Sequence, residues 1–76
     1  MSMKAEGTDM VEGADAIATF IYGRTDARLR RRIYQLHTSG QIPTIRIGGI
    51  LHMRPSTYRQ FVEDKERAAL SKARAT

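Results

Sequence analysis

The side chains in this sequence best suited to chemistry are its arginines, and the chemistry they offer is the gripping of anions. Arg28, Arg30, Arg31 and Arg32 crowd into five residues, and Arg46 and Arg54 follow on either side of Gly48-Gly49. A guanidinium presents a planar fork of donors that fits phosphate or the guanine edge bidentately, which lysine cannot reproduce. Arginines 24, 28, 30, 31, 32, 46, 54 and 59 face a single acid, Asp26, between residues 24 and 59, a balance of +7, whereas residues 1–23 carry −3 and residues 60–76 carry +1. A charge run alone is equally compatible with a solvated basic face. Its placement on a helix followed by a short ribbon is what favours nucleic acid.

The groups that would support catalysis are missing from this pattern. His37 and His52 are separated by a turn and a strand, with no acid at triad or metal-ligand spacing, and there is no cysteine. The expectation is therefore a protein that is not an enzyme, with no catalytic residue, no metal site and no cofactor. His37, near a helix C-terminus, is expected to interact with the helix dipole. His52 is left between phosphate contact and solvent. A chain of 76 residues holds one small domain with a thin core, too small for a deep catalytic pocket. Absence of cysteine suits a reducing compartment. No apolar run reaches the roughly 20 residues of a membrane span, and the first nine residues lack the apolar centre of a signal peptide. The location expected is the cytoplasm.

The elements that must carry the arginines can be read from periodicity. Residues 1–10 have none, and a flexible arm is expected there. Ala14, Ile17, Ala18 and Ile21 share one face of a first helix, which Gly23 ends. Phe20 and Tyr22 lie off that stripe, flanking the core, and no function is assigned to them. Thr25 and Asp26 are N-cap residues for a second helix running to about Thr38, with Gly40 as its stop. On that helix Leu29, Ile33 and Leu36 face the core, while Arg28, Arg31 and Gln35 face away. Arg30 and Tyr34 border the polar side, and Arg32 can lay its stem over the apolar stripe.

Ile42-Pro43 cannot continue a helix. The segments Thr44–Ile47 and Ile50–Arg54 flank two glycines suited to a type I′ turn, which pairs Ile47 with Ile50, Arg46 with Leu51 and Ile45 with His52. Both faces of this hairpin carry apolar residues, so the buried face is not defined, and exposed isoleucines near the tip would form a contact surface. Pro55-Ser56 starts a third helix with Tyr58, Phe61 and Val62 inward and Ser56 as its cap. From Glu63 onward helix propensity is high and there is little to bury, leaving extension, fraying or ordering on a partner all open.

These readings give an α+β chain: a small winged helix-turn-helix of two N-terminal helices, a two-stranded β-hairpin wing and a C-terminal helix. The expected organisation is an arm over residues 1–10, a DNA-binding domain over 11–63 and a helical or disordered tail over 64–76. The second helix would enter the major groove of double-stranded DNA. The hairpin would lie along the flanking backbone or minor groove, with Arg46 and Arg54 on phosphates and the amides of Gly48 and Gly49 close to them. RNA suits the chain less, because the A-form major groove does not admit a helix and no aromatic stacking platform is evident.

Three stretches in this order, Gly13–Ile21, Arg31–Pro43 and Thr44–Ser56, resemble the excisionase-like small winged-helix proteins. That group is related to the DNA-binding domain of the mercury-resistance-regulator superfamily. The likeness spans about Val11 to Glu63 and is most diagnostic at Ile33-Tyr34-x-Leu36, Gly40-x-Ile42-Pro43 and Arg46-x-Gly48-Gly49. It implies a recognition helix contributing Arg28, Arg30, Arg31 and Arg32, and a wing contributing Arg46, Gly48 and Gly49, to which the residue reading adds His52 and Arg54. The chain departs from the pattern by about one extra helical turn between Gly23 and Ile33, so Arg24 and Thr25 are either DNA contacts or a structural cap. It also has Ile50 and Leu51 where an aromatic or basic residue is common. The resemblance implies a fold shared by excisionases, phage-type transcription regulators and small terminase subunits, and within this group the reading favoured is an excisionase, or recombination directionality factor. Such a protein binds and bends DNA beside an attachment site, self-associates there, and helps a tyrosine recombinase excise an integrated element. The alternative within the same fold is a transcription regulator of phage or mobile-element genes. A third reading is an interaction module whose basic face binds an acidic protein. The apolar wing residues and the tail from Glu63 are the surfaces left for protein contacts.

Overall fold

A computed structural model of the chain describes residues 10–75, so the expected N-terminal arm, Met10 apart, lies outside the described residues. In chain order the elements are β1 (Val11–Glu12), α1 (Ala14–Tyr22), α2 (Ala27–Thr38), β2 (Thr44–Ile47), β3 (Ile50–Met53) and α3 (Pro55–Ala75). Three helices thus accompany a three-stranded antiparallel sheet of order β1-β3-β2, a small α+β fold.

Both leading helices follow their sequence signals. Ala14, Ile17 and Ala18 of α1 are buried, and Gly23 closes the helix at φ 82°, its N–H donating to the Thr19 carbonyl at 2.8 Å. A left-handed residue at that position is what glycine supplies without a Cβ clash. Asp26 is extended at the start of α2, and its carboxylate accepts the Leu29 N–H at 2.8 Å. That satisfies one of the backbone donors that the first helical turn leaves without a partner. Ile33 carries the apolar face of α2 into the core, with Leu29 half-buried beside it.

The hairpin has the register read from its sequence: Ile47 lies opposite Ile50, Arg46 opposite Leu51 and Ile45 opposite His52. Gly48 and Gly49 have φ of 59° and 84°, the left-handed pair that a type I′ turn requires. The expectation of two strands needs correcting, because β1 adds a third. Val11 pairs with Met53 and Glu12 with His52, and the Gly13 N–H donates to the Leu51 carbonyl at 2.7 Å. A strand of two residues is too short to show alternation, so only the open second edge of β3 makes it a strand.

Directly opposed residues share a face of an antiparallel sheet. Leu51 and Met53 are buried, so Val11, Thr44 and Arg46, which lie opposite them, are on the helix-bearing side. Glu12, Ile45, Ile47, Ile50 and His52 occupy the other side, where the three isoleucines are 53%, 51% and 43% exposed. This settles the ambiguity between faces: the core takes the Leu51–Met53 side, and the isoleucines form an outer apolar patch.

The third helix begins one residue before its expected cap. The Tyr58 N–H donates to the Arg54 carbonyl at 2.9 Å, so Pro55 is the first helical residue and Ser56 falls within the first turn. Phe20 meets Tyr58 edge-on, with ring centroids 5.7 Å apart, which joins α3 to α1. The helix runs unbroken to Ala75, and the expected domain boundary after Glu63 falls inside it. Residues 63–74 are all exposed, Leu70 at 60% among them. Among the described residues, no helix is long and apolar enough to cross a membrane.

Leu51→Ala removes a fully buried side chain from a core with few others, and is expected to cost about 2–5 kcal/mol of unfolding free energy. Ile47→Ala, on the open face, is expected to stay within about 0.5 kcal/mol of the parent. Urea unfolding of the two variants checks the assignment of faces.

Candidate nucleic-acid interface

The arginines of the second helix fall into two sets in the folded chain. Arg30 donates from Nε to Asp15 Oδ1 at 2.8 Å, and the Thr25 hydroxyl donates to the same oxygen at 2.9 Å. Asp15 stands in the first turn of α1, where a negative charge also suits the helix dipole. Arg24 pairs with Asp26 at 2.8 Å, beside the cap that opens α2. Three of the six expected recognition-helix positions are therefore engaged within the fold: Thr25 and Arg30 tie the start of α2 to α1, and Arg24 pairs locally in the connection between them. All three remain exposed.

Arg28, Arg31 and Arg32 are the other set. They point from the exposed side of α2, and none has a side-chain hydrogen bond or ion pair among the described residues. With Leu29 and Gln35 from the same helix and Tyr22 from the end of α1, they line an open cleft of about 490 Å³ that contains no carboxylate. Arg32, expected near the apolar stripe, is on this cleft as well. Gln35 belonged to the polar face in sequence. Tyr22 did not: its position off the α1 stripe signalled a residue flanking the core, and only the crossing of α1 and α2 brings it beside the arginines.

The expected wing residues divide between the faces of the sheet. Arg46 is exposed, lies on the helix-bearing side and has no ion-pair partner among the described residues. Gly48 and Gly49 are exposed at the turn, with open space where a Cβ would stand. His52 is on the opposite side, with its side chain only 15% exposed. Its Nδ1 is 2.9 Å from the Ile50 carbonyl oxygen, which can only accept, so that nitrogen carries the hydrogen. Its Nε2 lies 4.0 Å from a Glu12 carboxylate oxygen. The folded chain does not bring His52 together with Arg46. Arg54 stands exposed at the junction of β3 and α3. His37, read in sequence as a helix-dipole residue, forms a bond that spacing did not reveal. Its Nδ1 is 2.8 Å from the Thr44 hydroxyl, linking the end of α2 to the first residue of the hairpin.

The ion pairs leave a signature in the carboxylates. The Arg30 and Thr25 hydrogen bonds hold the Asp15 carboxyl below its ordinary value of 3.8, and the Leu29 N–H, aided by Arg24, does the same for Asp26. Arg30 is raised in turn by Asp15. What the arrangement can do chemically is bind anions: unpaired guanidinium groups, an amide and a phenol converge on one cleft, and a further cation stands on the ribbon. No protein-family model matches the chain, and no curated protein or solved structure shows significant similarity to it.

A carboxylate with a lowered folded-state pKa contributes stability above its unfolded value and loses it as pH falls through the folded value. The thermal midpoint is therefore expected to drop as pH is taken from neutrality to and below about 3.8, the ordinary value for both groups. Asp15→Asn combined with Asp26→Asn keeps an acceptor at each position but removes the titration. Its midpoint should vary less over that range, as followed by far-UV circular dichroism.

Proposed function

We propose that this chain is a winged-helix DNA-binding protein in which α2 reads the major groove and the β2–β3 hairpin is the wing. The observation that carries the reading is the carboxylate-free cleft on α2, where Arg28, Arg31 and Arg32 stand unpaired while Arg24 and Arg30 are neutralised by aspartates. Three guanidinium groups gathered without a counter-charge repel one another, and a polyanion relieves that repulsion. Arg46 supports the reading because it lies on the helix-bearing side of the sheet, the side on which α2 packs. In this arrangement Arg31 reads a base edge, Arg28 and Arg32 contact bases or phosphates, and Arg46 with the Gly48 and Gly49 amides holds the flanking backbone. Arg24, Thr25 and Arg30 hold the recognition helix at its angle. His52, on the isoleucine side, supports the sheet.

The role that fits best is an excisionase, a recombination directionality factor acting on DNA in the cytoplasm with no catalysis of its own. It would occupy repeated sites beside an attachment sequence, bend the DNA and assist a tyrosine recombinase. The isoleucine patch at Ile45, Ile47 and Ile50 and the exposed stretch of α3 after Val62 supply surfaces for neighbouring copies and for the recombinase. A transcription regulator would use the same interface at a promoter.

Arg31→Ala is expected to cost about 1–3 kcal/mol on a specific site and little on random DNA. Arg46→Ala should weaken both alike and reduce the slope of log affinity against log salt by about 1. Equal losses for Arg31→Ala on specific and random duplexes would remove it from base reading.

A titration against DNA spanning the ends of a neighbouring integrated element, with scrambled DNA beside it at two salt concentrations, tests the biological role. Stepwise, salt-sensitive occupancy at the element's ends is the result expected of an excision factor. Occupancy confined to a promoter would favour transcriptional control. The double variant Ile47→Thr, Ile50→Thr is expected to keep single-site affinity and lose cooperativity between sites.

A further inference from the structure

The geometry points to Tyr22 as a DNA-backbone contact: the cleft between α1 and α2 seats a phosphodiester of one strand, with the Tyr22 hydroxyl donating to a phosphate oxygen. This inference rests on the DNA-binding reading above. Tyr22 is the last residue of α1, is 40% exposed, and its phenol makes no hydrogen bond among the described residues. It is the one lining residue that does not come from α2, and it shares with Arg28, Arg31, Arg32 and Gln35 a space of about 490 Å³. A single phosphate would leave most of that space empty, whereas a phosphodiester with its flanking deoxyriboses occupies it. Leu29 gives the sugars an apolar contact.

The composition of the cleft identifies the ligand's chemistry. Arginines supply charge, but a guanidinium on a long flexible stem follows a phosphate over a range of positions. A phenol on a short, stiff side chain donates at one position, as backbone-positioning contacts on duplex DNA do. Tyr22 therefore fixes how far α2 lies along the groove, and does so from a different helix, so that α1 and α2 hold the same strand. Its effect belongs to register and total affinity and carries no sequence information. The same residue explains why the α1–α2 angle is pinned by the Asp15 bonds to Thr25 and Arg30: if that angle opened, Tyr22 would leave the phosphate while the α2 arginines stayed.

The test compares the full-length parent with Tyr22→Phe on a duplex that the parent enriches from a random pool, and on a scrambled duplex of equal length. A set of enriched duplexes each carrying one neutral methylphosphonate, and an RNA duplex of the enriched sequence, complete the probes. Tyr22→Phe is expected to bind both DNA duplexes about tenfold more weakly, the size of one hydrogen bond to a charged group, with unchanged melting. One methylphosphonate position should weaken the parent and leave Tyr22→Phe no weaker still. Parent-like binding by Tyr22→Phe on all duplexes would overturn the inference and leave the DNA reading standing. So would a loss confined to the enriched sequence, or an equal loss on RNA. No salt-sensitive binding by the parent would overturn both.

Discussion

Leu51 and Met53 project from the middle strand as two adjacent inward side chains, and α1 and Ile33 of α2 close over them. Nearly all the fully buried apolar surface of the described chain lies in this contact. Small residues make it possible: Ala14 and Ala18 let the backbone of α1 approach the sheet, while Ile17 fills the space between them. A core this thin has no slack, since small domains bury a modest share of their surface and stand only a few kcal/mol from unfolding. Helix positions are therefore set by shape at the sheet and refined by polar bonds at the rim. Asp15 with Thr25 and Arg30 acts at one end of α2, and His37 with Thr44 acts at the other. The second helix is braced at both ends to elements on either side of it in the chain, which keeps its outer face free of structural duty.

That division of labour governs the charge. A helix carrying arginines at 28, 30, 31 and 32 repels itself, and like charges three or four residues apart weaken a helix. Asp15 and Asp26 offset part of this repulsion at the first turn. The part left uncompensated is concentrated on one face, beside Tyr22. The acids stand with Arg24 and Arg30 and away from the cleft.

Much of this was legible in the residues. The spacing of Ala14, Ile17 and Ala18, the cap at Asp26, and the register set by Gly48-Gly49 each depend on contacts within a few positions, and local pattern determines them. The rest depends on distance. Asp15 and Arg30 are fifteen residues apart, so nothing in the arginine run marked which members would be neutralised. Val11–Glu12 is a strand only because β3 offers it an edge, and Tyr22 joins the cleft only because two helices cross. The continuation of α3 beyond Val62 rests on propensity alone, without burial, and was for that reason undecided from sequence. The two faces of the hairpin looked alike in composition, and it was the docking of α1 that decided between them.

The strand order β1-β3-β2 leaves β2 with an outer edge that no other described strand covers. An open edge offers backbone donors and acceptors to any extended chain that drifts past, and flanking isoleucines add stickiness. On Thr44–Ile47 the one charged residue is Arg46, set between Ile45 and Ile47. Its guanidinium, on the sheet face opposite those isoleucines, sets a charge beside any strand that would pair along this edge, a device by which edge strands avoid further pairing. Replacing that one charge would leave Thr44–Ile47 an uncharged edge strand, open to pairing with a second extended chain.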